Sequence, residues 1–172
     1  MKLIPRDLRV TELSKIGIPK VFIENVGKIN ELIYRVEDVD SAYFYLPQIS
    51  NYKILESFNV VPIFDEGEIF CVFIYNENIK KIIRFSLEND SIYKDYDLNW
   101  NMLLLDIMFQ YFEDQIDNDL FLEKFTDIGK QIGFEYSETL FHLLNIPIED
   151  YNDKYENAEL WKQEIAEKLK IV

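Results

Sequence analysis

The chain reads as an α+β fold: an antiparallel meander sheet packed against helices, in a single domain with a helical C-terminal part. Two changes of pattern carry this expectation. Apolar residues recur with period two between residues 60 and 87, and with period 3.6 from residue 99 onward, so strands come first and helices after. The composition agrees, because 172 residues of which 48% are hydrophobic and 15% aromatic supply enough apolar surface for one packed domain, residues 1–172.

Taken in order, residues 7–16 form a short helix stopped by Gly17 and Pro19, glycine capping the end and proline forbidding continuation. Residues 21–26 look extended, Val26, Gly27 and Lys28 look like a turn, residues 29–36 look extended again, and residues 43–46 are a short apolar run. The meander then comprises residues 60–64, a turn at Asp65, Glu66, Gly67 and Glu68, residues 69–75, a turn at Asn76, Glu77 and Asn78, and residues 79–87.

In residues 99–116 the polar positions Asp106, Gln110, Glu113, Asp114 and Asp117 make one narrow stripe, which predicts a helix deeply buried against the sheet. Residues 119–132 follow, with Phe121, Phe125, Ile128 and Ile132 at helical spacing and Gly133 as the stop. A shorter helix spans residues 137–144 and ends before Pro147. The last spans residues 155–170, with Asp153 and Glu156 as a capping-box-like pair and Ala158, Trp161, Ile165 and Leu169 on its apolar face.

Several chemistries lack their residues. The five glycines are too dispersed for a phosphate-cradling loop, and one histidine with one cysteine cannot make a zinc site of nitrogen and sulfur ligands. Cys71 sits in an apolar strand and reads as a packed thiol in a reducing compartment; His142, among Leu140, Phe141, Leu143 and Leu144, reads as packed or hydrogen-bonded. Asp95, Asp97 and Asn99 start like a calcium loop, but Trp100 replaces its glycine and Asp106 its final glutamate. Asp65 with Glu77 and Lys80 is misspaced for a metal-dependent nuclease. No cofactor and no metal are expected.

Net charge is the strongest bulk signal, at −14 overall, and it is uneven: residues 1–60 balance, residues 61–112 carry −5 and residues 113–172 carry −9. That field disfavours nucleic acid and anionic membranes as partners and favours a basic one. With no apolar leader and no membrane-length apolar run, a cytoplasmic location is expected. Asp114, Asp117, Asp119, Glu123 and Asp127 gather near a helix junction, as either a docking patch or a solvated face, and Asp65 and Glu66 join them as candidate partner-binding residues.

Leu13, Ser14, Lys15, Ile16, Gly17, Ile18 and Pro19 resemble the opening Leu-x-x-Ile-Gly-[Leu/Ile]-Pro of the SUKH superfamily of bacterial immunity proteins. Phe58, Asn59, Val60, Val61, Pro62, Ile63, Phe64, Asp65, Glu66 and Gly67, with Ile69, Phe70, Cys71, Val72 and Phe73, resemble its central strands. The resemblance covers roughly residues 8–116 and leaves residues 117–172 as a helical extension or a departure from the family. It implies a cytoplasmic protein that performs no reaction but binds and neutralises a cognate polymorphic toxin, contact-dependent or secreted. An acidic face bearing aromatic anchors such as Tyr93, Tyr96, Tyr151 and Tyr155 would cover the toxin's basic cleft. The alternatives are a small carboxylate-dependent enzyme and an acidic nucleic-acid mimic that occupies a DNA-binding protein.

Overall fold

The alternation that begins at Asn59 builds the sheet it predicts. In the computed structural model, which describes residues 1–116, 118 and 120–172, strands β2 (Asn59–Glu66), β3 (Ile69–Tyr75), β4 (Lys80–Ser86) and β5 (Ile92–Asp95) pair antiparallel. Strand β1 (Lys2–Leu3) adds to β2 in parallel, giving the order β1-β2-β3-β4-β5. With eight helices among the described residues the class is α+β, and the chain divides into two compact units, Met1–Trp100 and Asn101–Val172.

In the first unit, one irregularity decides which side chains face which way. The register of β2 on β3 slips between Pro62 and Phe64, leaving Ile63 as the extra residue of a bulge beside a proline that cannot donate to a ladder. A bulge reverses the alternation beyond it. Phe64 therefore pairs with Cys71, and Asp65 pairs with Phe70, whose face carries Val60, Val72, Ile74, Ile83 and Phe85. Helix α3 (Asp40–Tyr45) and the 3₁₀ turns Leu46–Ile49 and Lys53–Leu55 cover that face with Ala42, Leu46 and Leu55, all fully buried.

The outer edge of β2 is shielded piece by piece, as an exposed ladder edge must be to avoid pairing with another chain. Strand β1 serves Asn59 and Val60 before it runs out. Arg9, on helix α1 (Arg6–Lys15), then donates Nε to the carbonyl of Pro62 at 2.8 Å and a terminal nitrogen to that of Ile63. Glu37 completes the row by exchanging backbone hydrogen bonds with Asp65. Arg9 is buried, an unusual place for a guanidinium, and its two acceptors are why it is tolerated there.

Two segments expected to be extended are helical. Residues 20–25 form helix α2 (Lys20–Asn25) after Pro19, and Asn30–Leu32 is a 3₁₀ turn. The physical reason lies in which residues are buried: Phe22, Ile23 and Val26, and then Ile29, Leu32 and Val36, lie three or four apart. Burial at helical spacing overrides the strand preference of the β-branched residues between them. Gly27 ends this stretch at φ +72°, and a Cβ there would stand 2.8 Å from the Cβ and backbone nitrogen of Asp38, so no other residue fits.

The second unit is helical. Helix α4 (Trp100–Asp114, whose first residue belongs to the first unit) buries Leu103, Leu104, Leu105, Ile107, Met108, Phe109, Tyr111 and Phe112. Asp106, expected on its polar stripe, is buried as well, and meets Lys162 Nζ at 2.9 Å. Helix α5 (Leu122–Ile132) buries Phe125, Ile128 and Ile132, and closes in a Schellman motif: Phe134 N–H reaches Gly129 O at 2.8 Å while Gly133 sits at φ +75°. Gly129 faces helix α6 (Ser137–Leu144) so closely that a Cβ would fall 2.4 Å from that of Ser137.

The expected last helix is two. Helix α7 (Ile148–Tyr155) ends before Glu156, and helix α8 (Ala158–Leu169) begins after Asn157, so Asp153 lies inside α7 and caps nothing. Trp161, Ile165 and Leu169 are nevertheless the buried face of α8. Phe109, Phe112, Phe125, Phe141, Tyr151 and Trp161 form the aromatic centre of the unit, with ring centroids 5.2–6.0 Å apart for the pairs linking Phe109 to Trp161, Trp161 to Tyr151, Tyr151 to Phe112, and Phe112 to Phe125 and Phe141.

Candidate functional site

Of the carboxylates singled out from the sequence, two are placed differently from expectation. Strand β2 continues through Asp65 and Glu66, so the turn shrinks to Gly67 and Glu68, and both acids point into protein. Asp65 is 0% exposed; its Oδ2 accepts the Ala42 N–H at 2.9 Å, its Oδ1 has no hydrogen-bond partner, and its side chain lies at the start of α3. Burial, with the charges of Asp38 and Glu37, lifts its pKa to about 7 against the backbone N–H groups of Ala42 and Ser41, which favour the ionised form. Glu66 is engaged by two arginines, Arg35 at 3.1 Å and the buried Arg84. Neither acid belongs to a solvent-facing surface.

The other candidates lie at the helix junction. Asp114, at the end of α4, and Glu123 and Asp127, one turn apart on α5, are exposed; Asp127 pairs with Lys130 at 3.1 Å. Asp117 and Asp119 lie outside the described residues. Beside this junction is a cavity of about 300 Å³, walled by Phe112 and Ile116 from α4 and its extension, Phe121 before α5, Leu144 at the end of α6, and Ile148 and Tyr151 of α7. Its size sits at the lower end of the range for ligand sites, room for one side chain rather than an extended molecule.

Local sequence explains why apolar groups stand open here. Phe121 is the residue that starts α5 rather than a member of its buried face; its backbone is extended at φ −92° and ψ 148°, which turns the ring outward to 70% exposure. Ile148 follows Pro147, which fixes the first turn of α7, and is 54% exposed. Leu144 precedes the non-helical Asn145 that ends α6. The neighbours of the wall in sequence are acidic: Asp114 next to Gln115, which also lines the cavity, Glu149 and Asp150 between Ile148 and Tyr151, and Glu123 two beyond Phe121. Residues 101–172 hold 16 acidic and 6 basic side chains, a net −10 of the chain's −14.

Gln115 and Asn145 are polar members of the cavity wall, and Tyr151 adds its ring. It is buried between the rings of Phe112 and Tyr155, and its hydroxyl finds no hydrogen-bond partner. Burial, followed by the nearby charge of Glu113, pushes its pKa up, so the phenol stays neutral. Of the four tyrosines expected as exposed anchors, Tyr93 and Tyr155 are exposed while Tyr96 and Tyr151 are buried. The apolar groups at the cavity mouth are instead Phe121 and Ile148, and elsewhere Tyr34, Tyr93 and Phe44 are strongly exposed aromatics. Period counting gave no sign of this, because an apolar residue at a helix boundary keeps the spacing of the buried face without sharing its burial.

His142 is exposed on α6, not packed, and Cys71 is buried in β3. Among the described residues no three His, Cys, Asp or Glu side chains converge as metal ligands, and no helix is long and apolar enough to cross a membrane. Comparison of the chain with protein-family models, with curated proteins and with solved structures gives no match.

Proposed function

We propose that this is a protein-binding inhibitor, an immunity protein that acts in the cytoplasm by neutralising a basic cognate toxin domain, as the resemblance of residues 8–116 to the SUKH superfamily implies. The observation that carries the reading is the coincidence of net charge and open apolar surface: a helical unit of net −10 leaves Phe121 and Ile148 uncovered beside a cavity flanked in sequence by acids. Charge of one sign raises the encounter rate with a basic partner, and a buried apolar contact at the centre supplies the affinity. The binder performs no reaction. A carboxylate-dependent enzyme needs a perturbed acid open to substrate; Asp65, a carboxyl raised to about 7, is sealed.

Affinity purification of the full chain from cells expressing the neighbouring reading frame, at low and high salt, tests this. The expected result is one stoichiometric basic protein, lost as salt rises, whose toxicity this chain relieves. Recovery of no partner, or of many DNA-binding proteins at similar yield, refutes it; the second outcome is that of a nucleic-acid mimic.

A further inference from the structure

We infer that the cavity between the ends of α4 and α6 and the starts of α5 and α7 is the socket for one aromatic side chain of the partner, flanked by lysine or arginine. This deepens the protein-binding reading and rests on it.

Two features define the occupant. The walls carry Phe112, Ile116, Phe121, Leu144 and Ile148 beside the polar Gln115 and Asn145, and at about 300 Å³ the space suits a single side chain. Aromatic rings are the natural filling, because they bring the largest apolar area at the smallest loss of rotamer freedom and stack on other rings, here Phe112 and Phe121. The side chains adjoining the walls along the sequence, Asp114, Glu123, Glu149 and Asp150, are exposed acids, so the residues flanking the anchor are basic. The Tyr151 ring, stacked with Phe112, closes the wall, its hydroxyl buried away from solvent.

Phe112 and Tyr151 are held by the aromatic centre of the unit, so the floor is rigid. Phe121 and Ile148 stand at the mouth, where they can be replaced without opening the core.

The probe is the amidated pentapeptide Lys-Lys-Tyr-Lys-Lys, titrated into the full chain by amide NMR beside its glycine-centred and glutamate-flanked versions. The tyrosine peptide is expected to shift the amides of Phe121, Asn145 and Ile148, and the two controls are not. Phe121→Ser should weaken the peptide about ten-fold through lost ring contact. Equal binding of the glycine peptide, or shifts confined to other residues, overturns the socket. A captured natural partner indifferent to Phe121→Ser overturns the socket and leaves the proposed function standing; seated peptides with no captured partner do the reverse.

Discussion

Asp65→Asn should make the chain more stable at about pH 8 and less stable at about pH 3. The carboxyl is raised to about 7 in the fold, whereas an unfolded aspartate titrates near ~3.9. The folded state therefore holds the proton more tightly. Its contribution to stability is complete below about pH 4 and is lost as pH climbs through about 7, a swing of at most about 4 kcal/mol for three pKa units. Asparagine imitates the protonated acid, keeping an oxygen for the Ala42 N–H, but adds amide hydrogens with no acceptor beside the unpartnered Oδ1 position. That extra donor costs about 1 kcal/mol. The variant should then lose about 1 kcal/mol at pH 3, draw level between about pH 4 and 5, and gain about 3 kcal/mol at pH 8. Urea unfolding followed by circular dichroism from about pH 3 to 8, wild type against variant, measures the difference curve, which isolates this one group. Parallel curves across the range would refute the assignment of a neutral-range proton to Asp65.

The remaining predictions concern three backbone-level devices. Gly129→Ala gains about 1 kcal/mol of helix propensity but forces a Cβ to 2.4 Å from Ser137 Cβ; overpacking costs about 1–3 kcal/mol. A net loss near 1–2 kcal/mol in the denaturation midpoint is therefore expected, with partial recovery in the double variant Gly129→Ala, Ser137→Gly. Lys170→Gly should raise stability by about 0.5–1 kcal/mol, because the lysine closes α8 at φ +57°, where a side chain is strained, and the relief exceeds glycine's unfolded-state entropy; an unchanged melting temperature would contradict it. Arg9→Met keeps the apolar stem but strips the donors from the Pro62 and Ile63 carbonyls, for a loss of about 2 kcal/mol, and faster hydrogen exchange of β2 amides would show that the strand edge, rather than α1, has loosened.

How far the fold was readable follows from where burial and spacing agree. The meander was legible because β3 and β4 are apolar runs that pair without a break in register between short turns, the second of them pinned by Asn76 Oδ1, which accepts the N–H groups of Asn78 and Ile79 at 2.9 Å. Helix α6 was legible to the residue, and Gly133 was a true stop. Helix α2 was not, because Val21, Phe22, Ile23 and Val26 satisfy a strand pattern and a helix pattern together, and only the packed surface chooses. Asp65 failed for a different reason: a single bulged residue after Pro62 reverses the faces of everything beyond it, and sequence does not mark a bulge as it marks a turn.

The same logic explains the candidate site. Its charge was visible, since net charge is additive and needs no geometry, and Asp114, Glu123 and Asp127 are exposed as a solvent-facing patch requires. Its apolar half was not. Phe121 and Phe125 are one helical turn apart and equivalent to any periodicity count, yet Phe125 is 0% exposed in the aromatic centre while Phe121, the first residue outside α5, is 70% exposed. A helix begins where the backbone leaves the extended region, and a side chain on the extended side of that step projects away from the helix's buried stripe. The cavity mouth is formed by one such position, Phe121 before α5, and by Ile148, the first residue of α7. Apolar residues at helix starts flanked by acids are therefore the pattern that betrays this kind of socket, and charge reversal at Glu149 and Asp150 should abolish peptide binding while Phe121→Ser only weakens it, because repulsion acts before contact and the ring acts after it.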